Sequence, residues 1–419
     1  MHKIIISFLT LASVTPAAAQ VSFESLSVSA WEIKQASAEN IPQASPAKLE
    51  KLKLGLLSKA ERDEYVTRAT VFRPESELNT AALDFKAGPY PKMKYAPEEL
   101  VTCNYIPMKD AYEGGVPNGM TRKFKCRDAK GKDFKVKYGE DNAELMTEVA
   151  ASWIYTGAGI YTDRMYPVRL NCPDCPSDPF KSERDPGAWK QGQIAVIEDK
   201  LGERIEYAAN SGIGFDETHL MQNRVEAEAL AGLAMLFGDT DNKAENQAVA
   251  CPKDEVVLEG GRAVCRRPVA YLQDMGVSFG GRSIYHNRRM HFRKWKNEDV
   301  WDNPEACIMR LNIVRTSSLR EKDSTRRDMH QIGEQARQLL IRRLSLLSRS
   351  QLVDIFNAAR APQRAPEHSA EEWADLFLKK VDTLRRPLGN KTPANFACPY
   401  SVVPPNSYVQ PPDPFSQYN

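Results

Sequence analysis

A chain of 419 residues with 57 Lys and Arg against 55 Asp and Glu is almost charge-balanced. That balance argues against a dedicated nucleic-acid-binding or membrane-surface protein, both of which need a basic excess. The length exceeds the roughly 250–300 residues at which single cores stop growing, so two lobes or domains are expected.

The N-terminus carries Lys3, an apolar run from Ile4 to Val14, and Ala17, Ala18 and Ala19 before Gln20. This reads as a secretory signal over residues 1–19, cleaved after Ala19. The run is too short for a span, which needs about 20 apolar residues, and no later segment comes closer. With no Cys at the junction, a lipoprotein is not expected, and the mature chain is placed in the periplasm or outside the cell. All eight cysteines lie beyond Gln20, an even count that suits an oxidising compartment. Spacing suggests Cys103 with Cys126, Cys251 with Cys265 across a hairpin, and Cys307 with Cys398, although connectivity stays open. Cys172 and Cys175 form an isolated CxxC among prolines, read as a loop disulfide or free thiols rather than as a zinc or thioredoxin-type site.

Residues 20–100 mix short helical signals with Pro breaks, and Ser58-x-x-Glu61 is a capping box. They form an N-terminal extension, either a cap on the body or a partner-binding arm. From Thr121, TRKFKC, the turn DAKG and DFKVKY alternate as a two-stranded ribbon. From Ala143 to Tyr155 apolar residues recur at helical spacing, with Glu144 and Glu148 four apart on one side. QIAVIED (193–199) reads as a buried strand and residues 219–237 as a long helix. GDTDNKAENQ, a second ribbon bearing Cys251 and Cys265, and VAYLQDMG follow. The last third is expected to be helical, with capping boxes at Ser348/Gln351 and Ser369/Glu372, and residues 391–419 form a Pro-rich tail.

Phosphoryl transfer needs a cation for the phosphates, oxygen ligands for Mg²⁺, and a carboxylate beside the attacking hydroxyl. The sequence supplies these in order: Lys137 ends a strand, Glu148 lies on the next helix, Asp241, Lys243 and Asn246 share a loop, and Asp274-Met275-Gly276 follows a strand. Asp241 precedes Asn246 by five residues, the Asp-x-x-x-x-Asn spacing of a kinase catalytic loop, and Asp274-Met-Gly resembles the metal-binding Asp-Phe-Gly element.

The run VKYGEDNAELMTEVAASWIYTGAG resembles the strand lysine, Gly-Glu and Glu-x-Ala-Ala helix of atypical kinases: the secretory-pathway kinases, the type II phosphatidylinositol 4-kinases and HipA-type bacterial kinases. GDTDNKAENQ is similar to their Gly-Asn-x-Asp-Arg-His-x-x-Asn loop. The resemblance covers roughly residues 119–280. It implies an α+β, two-lobed kinase-like fold, with a small β-rich N-lobe (101–200) and a larger helical C-lobe (201–390). It further implies ATP and Mg²⁺ or Mn²⁺ as cofactors and an unidentified protein or small-molecule acceptor. Lys137 would pair with Glu148 and hold phosphates, Asp241 and Lys243 would serve catalysis, and Asn246 and Asp274 would bind metal. Runners-up are Asp239 for the base, Lys135 for the strand lysine and Glu144 for the helix carboxylate. EGGVPNG (113–119) is either a phosphate-covering loop or a plain turn, since it lacks GxGxxG.

Two departures stand against the pattern: no His-Arg precedes Asp241, and the interval to Asp274 is long, with a Cys-bounded ribbon intervening. The function expected is an exported phosphotransferase. The alternatives are a catalytically silent binding protein on the same scaffold and, from Gly276-Val-Ser-Phe-Gly280, a GxSxG hydrolase with Ser278 as nucleophile.

Overall fold

The computed structural model describes residues 53–399, apart from 116, 118, 120, 141, 143, 209, 210, 282–289 and 311–329. The signal segment 1–19 and the tail beyond 399 therefore lie outside the described residues. We number the strands in chain order and, among the helices, those of ten or more residues.

The first half is built on a curled six-stranded sheet. Its strands are β1 (Leu100–Thr102), β2 (Asn104–Ile106), β3 (Lys123–Arg127), β4 (Asp133–Tyr138), β5 (Arg164–Asn171) and β6 (Gln193–Asp199), in the order β1-β5-β6-β4-β3-β2. Every pairing is antiparallel except β1 with β5. Strand alternation sorts the side chains of β4. Phe134, Val136 and Tyr138 enter the core, where Phe124, Tyr138 and Trp189 meet edge to face at 5.1–5.5 Å. Lys135 and Lys137 take the opposite face.

Before the sheet, α1 (Lys59–Arg68) opens on the Ser58/Glu61 capping box. The segment after it buries Val71, Phe72, Phe85 and Tyr90 in the same core as the sheet. Residues 53–100 are thus part of the body. Between β4 and β5 runs α2 (Glu144–Gly157), in which every residue except Thr156 is buried. A helix hydrophobic all round belongs in the interior, and the two glutamates it carries inward must find partners there.

The helical half begins at α3 (Arg224–Phe237), N-capped by Asn223. The sequence predicts this helix from residue 219. Phe215–Leu220 instead forms a separate 3-10 turn, and Met221 breaks out of it in extended backbone. Gly238, at φ 62°, ends α3 in the left-handed conformation that glycine adopts without steric cost. A three-stranded sheet, β11-β8-β7, is made from β7 (Gly202–Arg204), β8 (Gln247–Pro252) and β11 (Val269–Leu272). The hairpin β9 (Val256–Glu259) and β10 (Arg262–Cys265) is inserted between β8 and β11. A small pair, β12 (Trp301–Asn303) and β13 (Ile308–Met309), interrupts the helical last third. Then α4 (Glu334–Leu344), α5 (Arg349–Ala358) and α6 (Ala370–Arg385) pack around an aromatic cluster that includes Phe237, Phe279, Phe356 and Trp373. The capping boxes at Ser348/Gln351 and Ser369/Glu372 open α5 and α6.

Four disulfides form, Cys103–Cys126, Cys172–Cys175, Cys251–Cys265 and Cys307–Cys398, and no described cysteine is free. Among the described residues no helix is long and apolar enough to cross a membrane. The disulfides are compatible with an extracellular or periplasmic setting. The architecture is mixed α/β, a strand-rich half followed by a helical one.

Candidate active site

Lys137 sits at the inner end of β4 and Glu148 one turn into α2; both are almost fully buried and they form an ion pair. The runners-up separate from them. Lys135, on the same strand face, pairs with Glu198 of β6 at 2.7 Å, and Glu144 packs its side chain against Gly276. A Cβ on Gly276 would fall 2.9 Å from Glu144 Cγ, so only glycine lets the 274–276 segment lie this close to the first turn of α2.

The loop after α3 joins the same place through backbone hydrogen bonds. The Gln273 N–H donates to the Asn246 carbonyl at 2.9 Å, which sets Asp274 beside the 241–246 loop at the end of β11. Asn246 Nδ2 donates to the Asp241 carbonyl at 2.5 Å, fixing the amide plane. Asp239 is 2% exposed and accepts the Asp241 N–H at 3.2 Å. Burial, with Asp241 and Asp274 nearby, pushes its carboxyl well above the usual range. Asp241 is 27% exposed on its side chain, so the two rivals for the base differ in access. Lys243 pairs with Glu245 at 2.9 Å and lies 4.0 Å from Asp241.

Charge organises the centre. Burial alone would lower the Lys137 amine, but Glu148, Glu198 and Asp274 outweigh it and hold it well above its ordinary value. Burial likewise raises the Asp274 carboxyl, yet Lys137, the neighbouring Glu148 and Lys135 bring it down to about 2. Glu148 goes the other way, to about 8, because burial and the Asp274 and Glu198 charges exceed the pull of Lys137. Its Oε2 is buried without a hydrogen-bond partner.

Several groups of the site were not expected from the sequence. Glu198 is buried among three lysines, 2.5 Å from Lys200, 2.7 Å from Lys135 and 3.6 Å from Lys137. Lys200 continues the chain to Asp163 at 2.8 Å, which also accepts from the Tyr271 hydroxyl at 3.3 Å. Glu198 had one visible signal, a carboxylate within an otherwise apolar strand. Lys123 had none before register was known. It lies directly opposite Lys137, and Lys125 lies opposite Lys135, so like charges face each other on both rungs. Burial, Lys135 and Lys137 push the Lys123 amine down to about 8, and no carboxylate among the described residues lies within 4.0 Å of it. A Cβ on Gly119 would come 3.3 Å from Lys123 Nζ, so the 113–119 loop approaches this amine. Tyr112, just before that loop, lies 5.3 Å beneath Lys125 Nζ, and its hydroxyl is buried without a partner.

The other chemical motifs fare differently. Ser278 is 0% exposed and its Oγ has no hydrogen-bond partner, whereas a nucleophile at a strand-to-helix elbow must be reachable. The described groups with metal-binding spacing are cysteine clusters whose thiols are already in disulfides.

The donors around Asp274 suit a hard divalent cation: an ionised carboxylate and an amide side chain, the set Mg²⁺ takes when phosphates and water complete its shell. No family model matches the chain, and no curated protein matches it. Among solved structures it is similar to a Helicobacter pylori proinflammatory kinase, CtkA, at 11% identity and a TM-score of 0.36, over 69% of this chain and 94% of that one.

Proposed function

We propose that the chain is a phosphotransferase that binds ATP with a divalent cation and modifies a hydroxyl-bearing acceptor, acting outside the cytoplasm. The observation that carries this reading is the buried Lys137–Glu148 ion pair with Asp274 beside it. A lysine inside a protein is stabilised by one carboxylate; here it is framed by three, which leaves negative charge for a metal and a positive head for phosphate. Lys137 would hold the phosphates and Glu148 would fix its position. Asp274 and Asn246 would hold Mg²⁺ or Mn²⁺, which neutralises phosphate charge when bound. Asp241, the more accessible of the two loop aspartates, would accept the acceptor's proton, with Lys243 at the same loop facing the phosphates.

A second reading, a catalytically silent binding protein on the same scaffold, is favoured by one observation. A purine needs apolar surface to stack on, and this sheet face presents Lys125 opposite Lys135 instead.

The deciding experiment is ATP binding and turnover by the oxidised protein with Mg²⁺ or Mn²⁺, beside Asp274→Ala and Lys137→Ala. Metal-dependent binding weakened at least tenfold in both variants is expected, with labelled phosphate or AMP on an acceptor naming the reaction. Binding without turnover, or no binding with any metal, defeats the phosphotransferase and leaves the second reading.

A further inference from the structure

Away from the Lys137 centre, a cavity of about 430 Å³ is ringed by Arg68, Arg73, Arg266, Arg267 and Arg343, with Glu226 as the one carboxylate in its wall. It lies where the segment leaving α1, the turn before β11, and helices α3 and α4 converge. Its wall is completed by apolar surface from Phe72 and Tyr161.

Arg267 is already held by Glu255, 2.7 Å from its Nε, with Glu77 at 3.6 Å, but the two deeper cations, Arg73 and Arg343, are short of counter-charge. Arg343 is 5% exposed, lies over the Phe72 ring at 5.3 Å, and donates from Nη2 to the Arg73 carbonyl at 2.8 Å. Its Nε and Nη1 are buried with no hydrogen-bond partner, as is Arg73 Nε. The nearest carboxylate to Arg343, Glu75, stands 3.9 Å away and is already engaged by Arg342 at 2.8 Å. Glu226 is committed as well, accepting the backbone N–H groups of Val71 at 2.5 Å and Phe72 at 3.3 Å. A buried charge with only a distant, shared counter-ion and two unfilled N–H donors is costly. Guanidinium forks match the paired oxygens of a phosphate or sulfate group, and such charge-assisted bonds are the strong ones.

We propose that this cavity binds a tetrahedral oxyanion, phosphate or sulfate, free or carried on a larger molecule. Arg73 and Arg343 form the floor of the site; Arg266 and Arg267, both exposed, form its rim. The site stands on its own geometry and does not depend on nucleotide binding in the cleft.

The test is calorimetric titration of the intact oxidised protein with inorganic phosphate, sulfate and O-phosphoserine, each against chloride at matched ionic strength to hold screening constant. Wild type, Arg266→Ala/Arg267→Ala and Lys123→Met are compared. Both rim arginines are exposed, but Arg267 holds the buried Glu255, so Arg266→Ala alone is measured beside the double variant and is expected to weaken binding in the same direction. Specific binding is expected in wild type and Lys123→Met, weakened at least tenfold in the double arginine variant. Tighter binding of O-phosphoserine than of phosphate identifies a carried group, and the reverse identifies the free ion. The proposal is overturned if no oxyanion binds beyond chloride, or if binding survives in the arginine variant and is lost in Lys123→Met, which would assign the anion to the cleft.

Discussion

At the scale of single residues, the cleft separates lysines that serve the folded state from one that strains it. Lys137 and Lys135 each have a buried carboxylate within reach, whereas Lys123 has none among the described residues and faces Lys137 across the strand pair. Removing one member of a satisfied buried pair strands the other, but removing an uncompensated cation relieves repulsion. Lys123→Met is therefore expected to leave stability to chemical denaturation unchanged or raised, while weakening ATP or tripolyphosphate binding about tenfold, the loss of one charge-assisted contact. A fall in stability of several kcal/mol with unchanged ligand affinity would show that Lys123 is structural. The residue candidates Lys137, Glu148, Asp241, Asn246 and Asp274 could be nominated from spacing because each sits in a motif of fixed offsets. Lys123 and Glu198 were not, because their neighbours are set by strand register, which no local spacing encodes.

At the scale of elements, the close approach of the 274–276 segment to α2 depends on one missing methyl group. Gly276 rests on the Glu144 side chain, and the preceding Met275 is buried, with the Tyr155 hydroxyl 3.9 Å from its Sδ. Gly276→Ala forces the Glu144 stem or the loop to move, and overpacking of this kind costs about 1–3 kcal/mol. The expected result is a lower denaturation midpoint together with weaker metal-dependent nucleotide binding, because Asp274 shifts with its neighbour. Unchanged binding in a destabilised Gly276→Ala protein would separate the packing contact from the site. The ribbon over 121–138, the strand at 193–199 and the three capping boxes follow from local periodicity and side-chain chemistry. The start of α3 does not, since Phe215–Leu220 is a separate 3-10 turn, divided from Arg224–Phe237 by extended backbone at Met221 and the Asn223 cap.

For the whole molecule, disulfides close loops that packing alone leaves long. Cys307–Cys398 joins residues 91 apart and ties the end of the described chain to the β12–β13 region. On the chain-entropy account a loop of that length is worth about 4–5 kcal/mol in the unfolded state. Cys307→Ser/Cys398→Ser is expected to lose stability of that order in equilibrium unfolding, with nucleotide binding retained below the transition. A loss under 1 kcal/mol would mean that the reduced chain already holds the two segments together.

Sequence alone determined the alternation of β4, the buried character of α2, the order of chemical motifs from Lys137 to Asp274, and cysteine positions that suit local bridges. These are properties of neighbours along the chain, fixed by periodicities of two or 3.6 residues and by short spacings. Tertiary structure decided which of two lysines meets Glu148 and that Glu198 is buried among three cations. It also buried Ser278 and gathered five arginines from distant segments around one cavity. Those outcomes depend on strand register and on contacts between residues far apart in sequence, where burial sets how strongly each charge demands a partner.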